Sequence, residues 1–153
     1  MQKTDEFIVN RLIWKAKRYK LPTKFSFFFT DLSSSLQVYL NNQVDKEKSG
    51  TPVLLFTKPT KEWTLICTRQ VVCNDNEKII SINIRDIKQI LSTEIDMTLF
   101  GQSININTVK KKTEWETIKI IDNQDDFYIL HADRGKDLFS LWNILLMAVR
   151  IYD

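Results

Sequence analysis

The chain has 153 residues, of which 43% are hydrophobic and 11% are aromatic, and its formal net charge is +3. A chain of this length fits one domain, and its composition is too apolar for a disordered protein. Glycine and proline contribute only three residues each, so few long irregular loops are expected.

The positive charge is concentrated in the first 24 residues. This segment has seven basic and two acidic side chains, a net charge of +5, and the rest of the chain carries 15 basic and 17 acidic groups. A slightly acidic body argues against nucleic acid as the partner, because nucleic-acid binders spread cations over their contact surface.

Two patterns predict a cytoplasmic protein. Asp5 and Glu6 precede the first apolar residues and no small-residue cleavage site follows, so no secretory signal is expected. No apolar run approaches the roughly 20 residues that span a bilayer. Cys67 and Cys73 are interpreted as lying on one extended strand, where they would be about 20 Å apart and beyond disulfide reach. Both are therefore expected to be reduced and half-buried.

Residues 1–50 are predicted to form an N-terminal helical segment. Residues 4–20 have apolar side chains at helical spacing, Thr4 is a suitable cap, and Pro22 stops the helix. After the aromatic residues 25–29, Thr30 or Asp31 is expected to cap a second helix. Residues 45–50 are charged and end in Gly50, which favours a linker.

Residues 51–153 are predicted to form a second unit rich in strands. The expected strands are 52–58, 62–73, 78–85, 93–100, 103–109, 115–122 and 126–131, with 86–91 as a turn or helical step and 123–125 as a hairpin loop. Residues 136–152 have a broad apolar stripe and predict a buried final helix. The expected fold is α+β: N-terminal helices plus a six- or seven-stranded antiparallel sheet or barrel, closed by the C-terminal helix.

Residues 51–152 resemble the pleckstrin-homology-like superfold, especially its bacterial and GRAM-type members. The resemblance is carried by Glu-Trp-Thr-Leu-Ile-Cys-Thr-Arg-Gln-Val-Val from Glu62, by Ile-Ser-Ile-Asn-Ile-Arg-Asp-Ile from Ile80, and by Trp142 in the final helix. It implies a binding domain whose lipid-binding members place several cations around the first hairpin. That hairpin offers Lys58 and Lys61 here, so the lipid signature is incomplete.

No catalytic, metal-binding or cofactor-binding residues are predicted. His131 is the only histidine and lies on a predicted strand, without Cys-x-x-Cys or paired-histidine spacing. Glu114, Glu116, Asp125 and Asp126 fit turns and solvent-exposed positions better than a carboxylate pair. Three scattered glycines do not form a phosphate-binding loop.

Basic residues are the predicted contacts with an anion or a partner: Lys15, Lys17, Arg18, Lys58, Lys61, Lys110, Lys111 and Lys112. Two alternatives stay open for the first helix. Its apolar face packs on the rest of the protein with the lysines solvated, or the helix lies on an anionic membrane with its aromatic side chains. The run at 110–112 is either a solvated loop or an anion contact.

The predicted function is non-enzymatic recognition of another protein. A cytoplasmic binder of this size, without catalytic residues, fits an immunity protein that neutralises a bacterial toxin. The alternative is a peripheral membrane adaptor that binds anionic lipid through the basic first helix.

Overall fold

The computed structural model describes residues 3–92 and 117–152. Within them the helices are α1 (Asp5–Arg18), α2 (Ser34–Asn41), α3 (Lys46–Ser49) and α4 (Lys136–Ile151), with 3-10 turns at Phe29–Asp31 and Ile84–Asp86. The strands are β1 (Ser26–Phe28), β2 (Pro52–Thr57), β3 (Trp63–Cys67), β4 (Gln70–Asn74), β5 (Ile79–Asn83), β6 (Ile87–Ser92), β7 (Thr117–Asp122) and β8 (Phe127–His131). The α+β class is confirmed. The predicted strands at 93–100 and 103–109 lie outside the described residues.

The first sheet has five antiparallel strands in the order β1-β2-β3-β4-β5. Its central strand β3 is buried at every position, because both faces of the sheet are covered. On one face Leu65 joins a small core with Phe29 and with Leu40 of α2. On the other face Ile66 joins the main core, which includes residues of α1, α4 and the second sheet.

The second sheet has three antiparallel strands in the order β6-β7-β8, and α4 packs against it. One side of α4 is fully buried, including Leu138, Leu141, Ile144 and Leu145, which confirms the predicted buried final helix. The indole Nε1 of Trp142 donates to the carbonyl of Ile90 at 3.3 Å and so ties α4 to β6.

The two sheets meet where β3 approaches β8. The buried hydroxyl of Thr64 donates to the carbonyl oxygen of His131 at 2.6 Å and accepts from its backbone N–H at 3.2 Å. At this point the two sheets are joined through a side chain, rather than through the backbone hydrogen bonds that join neighbouring strands within a sheet. The strands of residues 3–92 and 117–152 therefore form two separate sheets and no closed barrel.

The N-terminal segment shares the main core with the strands that follow it. Ile8, Leu12 and Ala16 of α1 are fully or almost fully buried, and α1 packs on α4 and β2. The aromatic segment at 25–29 contains β1, which pairs with β2. The division at residue 50 stays a prediction. The apolar face of α1 packs on the rest of the protein, which was one of the two alternatives considered for this helix.

Four local predictions are wrong. Residues 62–73 are not one strand but the hairpin β3–β4, because the chain reverses at Thr68 and Arg69. The two cysteines are free as expected, but they are buried rather than half-buried and lie on different strands and in different cores. Residues 45–50 are not a linker, because they contain α3 and the buried Ser49. Residues 87–92 form β6 rather than a turn or helical step.

The cap of the second helix was also predicted wrongly. Residues 29–31 form a 3-10 turn, and the hydroxyl of Ser33 accepts from the N–H of Leu36 at 3.3 Å at the start of α2. Serine is as good a cap as the Thr30 or Asp31 expected there, so composition alone does not choose among these three residues.

Candidate functional site: the groove between α1 and α4

Helix α1 has one apolar face and one charged face. The hydroxyl of Thr4 accepts from the N–H of Phe7 at 3.1 Å, and Asp5 and Glu6 lie in the first turn near the positive end of the helix dipole. Because Ile8, Leu12 and Ala16 point into the core, the basic residues are left on the outer side.

Aromatic side chains hold several of these cations in place. Trp14 is 44% exposed, and the guanidinium groups of Arg11 and Arg18 lie over its ring, at 4.5 Å and 5.0 Å from the ring centroid. Lys15 lies over the ring of Tyr19 at 5.7 Å. Exposed contacts of this kind contribute about 0.5–1 kcal/mol each, which is enough to favour one orientation of the cation.

A groove of about 470 Å³ runs between α1 and α4, and we call it the α1–α4 groove. Helix α1 contributes two cations and an indole, and α4 contributes a cation, an amide and three apolar side chains. Its lining residues are Arg11, Trp14, Lys15, Asn143, Leu146, Met147, Arg150 and Ile151. Three cations therefore surround a partly apolar floor, and no carboxylate of the described residues lines the groove.

Within residues 3–92 and 117–152, no cation of the groove takes part in an ion pair. The ion pairs within the described parts of the chain are Arg69–Asp5 at 3.1 Å and Lys88–Asp125 at 2.8 Å. Neither involves Arg11, Lys15 or Arg150. A positively charged groove of this kind attracts an acidic partner and disfavours a basic one.

The predicted contact residues occupy two different places. Lys15 lines the groove, Arg18 stacks on Trp14 beside it, and Lys17 is exposed on α1 but does not line the groove. Lys58 lines a separate cavity of about 280 Å³ with Arg134, and Lys61 is exposed in the same β2–β3 turn. The lysines at 110–112 lie outside the described residues.

Two cations of the groove were missed in the sequence. Arg11 precedes Lys15 by four residues and Arg18 by seven, so its helical spacing was a usable signal. Arg150 lies on a distant helix, and no local pattern connects it with α1. The apolar residues Leu146 and Met147 were predicted as part of a buried stripe, and the structure leaves both half-buried at the groove.

His131 is half-buried at the end of β8. Burial lowers the pKa of His131, and the neighbouring charge of Lys58 lowers it further. Its Nδ1 atom is buried without a hydrogen-bond partner in the described structure. A general base is normally oriented by a second polar group. No cluster of three potential metal ligands occurs in the ranges that the structure describes.

No protein-family model matches the chain, and no curated protein matches it. No helix among residues 3–92 and 117–152 has the length and apolar character required to cross a bilayer.

Proposed function

We propose that this chain is a non-enzymatic protein-binding module that takes an acidic, partly apolar segment of its partner into the α1–α4 groove. One observation carries the proposal: Arg11, Lys15 and Arg150 converge on a floor that includes Leu146 and Met147, and none of the three cations is paired with a carboxylate of the described residues. Charge complementarity would set the orientation of the partner, and apolar burial would add affinity.

The exposed Trp14 supports a role in recognition. Tryptophan and arginine are enriched among the residues that dominate interface energies, and Trp14 already contacts two arginines of its own helix. Preorganised side chains lose less conformational entropy on binding. A stable interface involves about 20–30 residues on each side. Eight described residues line the groove, so the partner would extend onto the outer side of α1.

A matched pair of lysine variants tests this proposal. The probe is a labelled amphipathic helical peptide of glutamate and leucine, with a lysine–leucine peptide as the opposite-charge control. Lys15→Glu should weaken binding of the acidic peptide by about tenfold, whereas Lys17→Glu on the same helix should change it by less than about threefold. Equal losses would indicate unspecific charge attraction, and unchanged binding in Lys15→Glu would exclude the groove.

A toxin domain is the proposed partner within this class, and the chain would neutralise it by covering an acidic surface. The proposal rests on the size of the chain and its free cationic groove. Co-expression with proteins encoded by adjacent genes tests it: the wild-type chain should restore growth stopped by such a protein, and Lys15→Glu should not. Failure of the wild-type chain to restore growth against a toxic neighbour would contradict the toxin assignment.

A membrane adaptor is a second candidate, favoured by the exposure of Phe7 at 42% and Trp14 at 44% beside the cations of α1. Cations near anionic headgroups contribute about 1 kcal/mol each. Co-sedimentation with phosphatidylserine vesicles, and not with phosphatidylcholine vesicles, would support this candidate if charge reversal of Lys15, Lys17 and Arg18 abolished it. Equal sensitivity to Lys15 and Lys17 would further favour a flat surface over the groove.

For the fold, we propose a pleckstrin-homology-like arrangement of residues 51–152. The order of elements supports it: the four-stranded meander β2–β5 is followed by the three-stranded meander β6–β8 and then by α4. An experimental structure would test the proposal by superposition on pleckstrin-homology domains. Strand crossing angles or a helix position that do not superpose would contradict it.

A further inference from the structure

Helix α2 has an outer face without charged side chains. Residues 32–44, which contain α2, include no aspartate, glutamate, lysine, arginine or histidine. The exposed positions recur at helical spacing and therefore lie on one face, which we call the α2 face. Its two apolar residues are central, with Val38 59% exposed and Tyr39 43% exposed. The polar residues around them are Ser34, Ser35 and Asn42.

Contacts on the inner side of α2 hold this face in one orientation. Leu40 is 1% exposed and belongs to the small core. The side-chain amide of Gln37 donates to the carbonyl of Leu32 at 3.0 Å and so fixes the start of the helix. The Tyr39 ring packs edge-on against Trp63, with 6.4 Å between the ring centres. Side chains that are already ordered lose less conformational entropy when a partner binds.

Ile79 extends the apolar surface from α2 onto the first sheet. Trp63 of β3 pairs with Asn74 of β4, and Asn74 pairs with Ile79 of β5. Directly paired residues project from the same face of an antiparallel sheet, so Ile79 lies on the face that α2 covers. Its side chain is 37% exposed. Val38, Tyr39 and Ile79 therefore lie on one side of the molecule.

Other exposed hydrophobic residues differ from this surface, because cations accompany them. The rings of Phe7, Trp14 and Phe127 each have a lysine or arginine side chain within 5.3 Å of the ring centre. Such rings suit an acidic partner or an anionic surface. The α2 face has neither cations nor carboxylates of its own, so it fits a partner surface that is also uncharged.

A second copy of this chain offers such a surface. In a two-fold symmetric dimer both copies use the same patch, so a charge near the symmetry axis meets a like charge. This repulsion disfavours the basic side of α1 as a self-contact and is absent from the α2 face. Serine hydroxyls and asparagine amides both donate and accept hydrogen bonds, so Ser34, Ser35 and Asn42 can bond to identical groups.

The charged residues that flank α2 are at the rim of this surface. Asp31 precedes the uncharged run, and residues 45–48 follow it with two carboxylates and two ammonium groups. All of them are exposed, where salt screens their interactions. A charge-depleted centre that contains tyrosine, inside a polar rim, is the usual anatomy of a protein–protein interface.

We propose that the α2 face is the contact surface of a two-fold symmetric dimer of this chain, with Val38 and Tyr39 of each copy at its centre. The face has fewer residues than the roughly 20–30 on each side of a stable interface, so the dimer is weak. Its dissociation constant is expected at about 0.1 mM. The α1–α4 groove is not part of this contact, because α1 covers the opposite face of the first sheet.

Sedimentation equilibrium of the full chain tests this proposal over protein concentrations from about 5 µM to about 1 mM. The mean mass of the wild-type chain should rise from that of a monomer towards twice that value. Val38→Glu should weaken association by about tenfold or more, because it brings two carboxylates together in an apolar contact. Phe127→Glu is the matched control: Phe127 is 62% exposed but belongs to the second sheet, so association should change by less than about threefold.

Two further measurements distinguish this dimer from charge-driven association, and unfolding midpoints show that each variant is folded. An equimolar mixture of Val38→Glu and Val38→Lys should recover the dimer, since unlike charges then face each other. Raising the salt concentration from about 0.05 M to about 0.5 M should change the wild-type affinity by less than about threefold. A wild-type chain that stays monomeric overturns the proposal and assigns the α2 face to a different partner. Equal losses in Val38→Glu and Phe127→Glu, no recovery in the mixture, or loss of the dimer at high salt would also overturn it.

Discussion

Replacement of Gly50 by alanine should destabilise the junction between α3 and the β3–β4 turn. Gly50 has φ 74° and ψ −153°, a region that is essentially restricted to glycine and costs other residues about 1–3 kcal/mol. The new methyl group would also lie 2.0 Å from the Thr68 hydroxyl, so this turn must move. Overpacking of this kind costs about 1–3 kcal/mol.

Movement of Thr68 has a further cost, because its hydroxyl is bonded to the N–H of Thr51 at 3.0 Å and to Asp5 at 3.1 Å. Each such bond contributes about 0.5–1.5 kcal/mol. Allowing for partial relaxation, we expect Gly50→Ala to lower the free energy of unfolding by about 3–5 kcal/mol. For a domain of this size the midpoint of thermal unfolding would fall by about 10 °C or more.

Urea unfolding of Gly50→Ala, Thr68→Ala and the double variant measures this effect. Because Thr68→Ala removes the clashing hydroxyl, the double variant should be less destabilised than the sum of the single variants by about 1–2 kcal/mol. A loss below about 1 kcal/mol in Gly50→Ala would refute the reasoning. Strict additivity would show that the close approach to Thr68 is not the cause.

Three further predictions concern the core, the histidine and the cysteines. Leu12→Ala should lower the free energy of unfolding by about 2–5 kcal/mol, because the Leu12 side chain is 0% exposed. Phe7 is 42% exposed, so Phe7→Ala should lower it by less than about 1 kcal/mol. Similar losses for the two variants in urea unfolding would contradict the packing of α1. Because the pKa of His131 is lowered in the folded protein, this side chain is protonated at a higher pH in the unfolded state than in the folded state. The free energy of unfolding should therefore fall as the pH drops below about 6.5. His131→Asn should remove this part of the pH dependence, as measured by urea unfolding. An unchanged dependence would assign it to other groups. Burial raises the pKa of Cys67 to about 12 and that of Cys73 above its usual value. Ellman's reagent should therefore label neither thiol before the protein unfolds. Rapid labelling of the native protein would disprove their burial.

Local sequence signals predicted several elements well. The Thr4 cap and the apolar spacing of α1, the broad stripe of α4 and the hairpin loop at 123–125 all depend on residues within a few positions of each other. The strand predicted at 78–85 contains β5, in which Ile82 is buried, and Ile84 is buried in the 3-10 turn that follows. These features were readable because helix and strand periodicity follow directly from backbone geometry.

The errors fall where distant contacts decide the local structure. Thr68 and Arg69 carry no glycine, proline or asparagine signal for a turn, and their reversal is held by bonds to Ser49, Thr51 and Ile84. The charged segment at 45–50 is ordered because Ser49 is buried and Gly50 packs against Thr68. Composition alone predicted one strand at 62–73 and a linker at 45–50, and neither segment folds in that way.

Some features of the candidate binding sites could also be predicted from the sequence, and others could not. The sequence by itself predicted that the first helix is basic and that the last helix is buried, and it marked Lys15 and Arg18 as candidate contacts. Only the tertiary structure placed Arg150 opposite α1 and brought Ile79 to the same side as Val38 and Tyr39. The reason is that helical periodicity acts over a few residues, whereas a binding cavity depends on which distant backbone segments the core brings together.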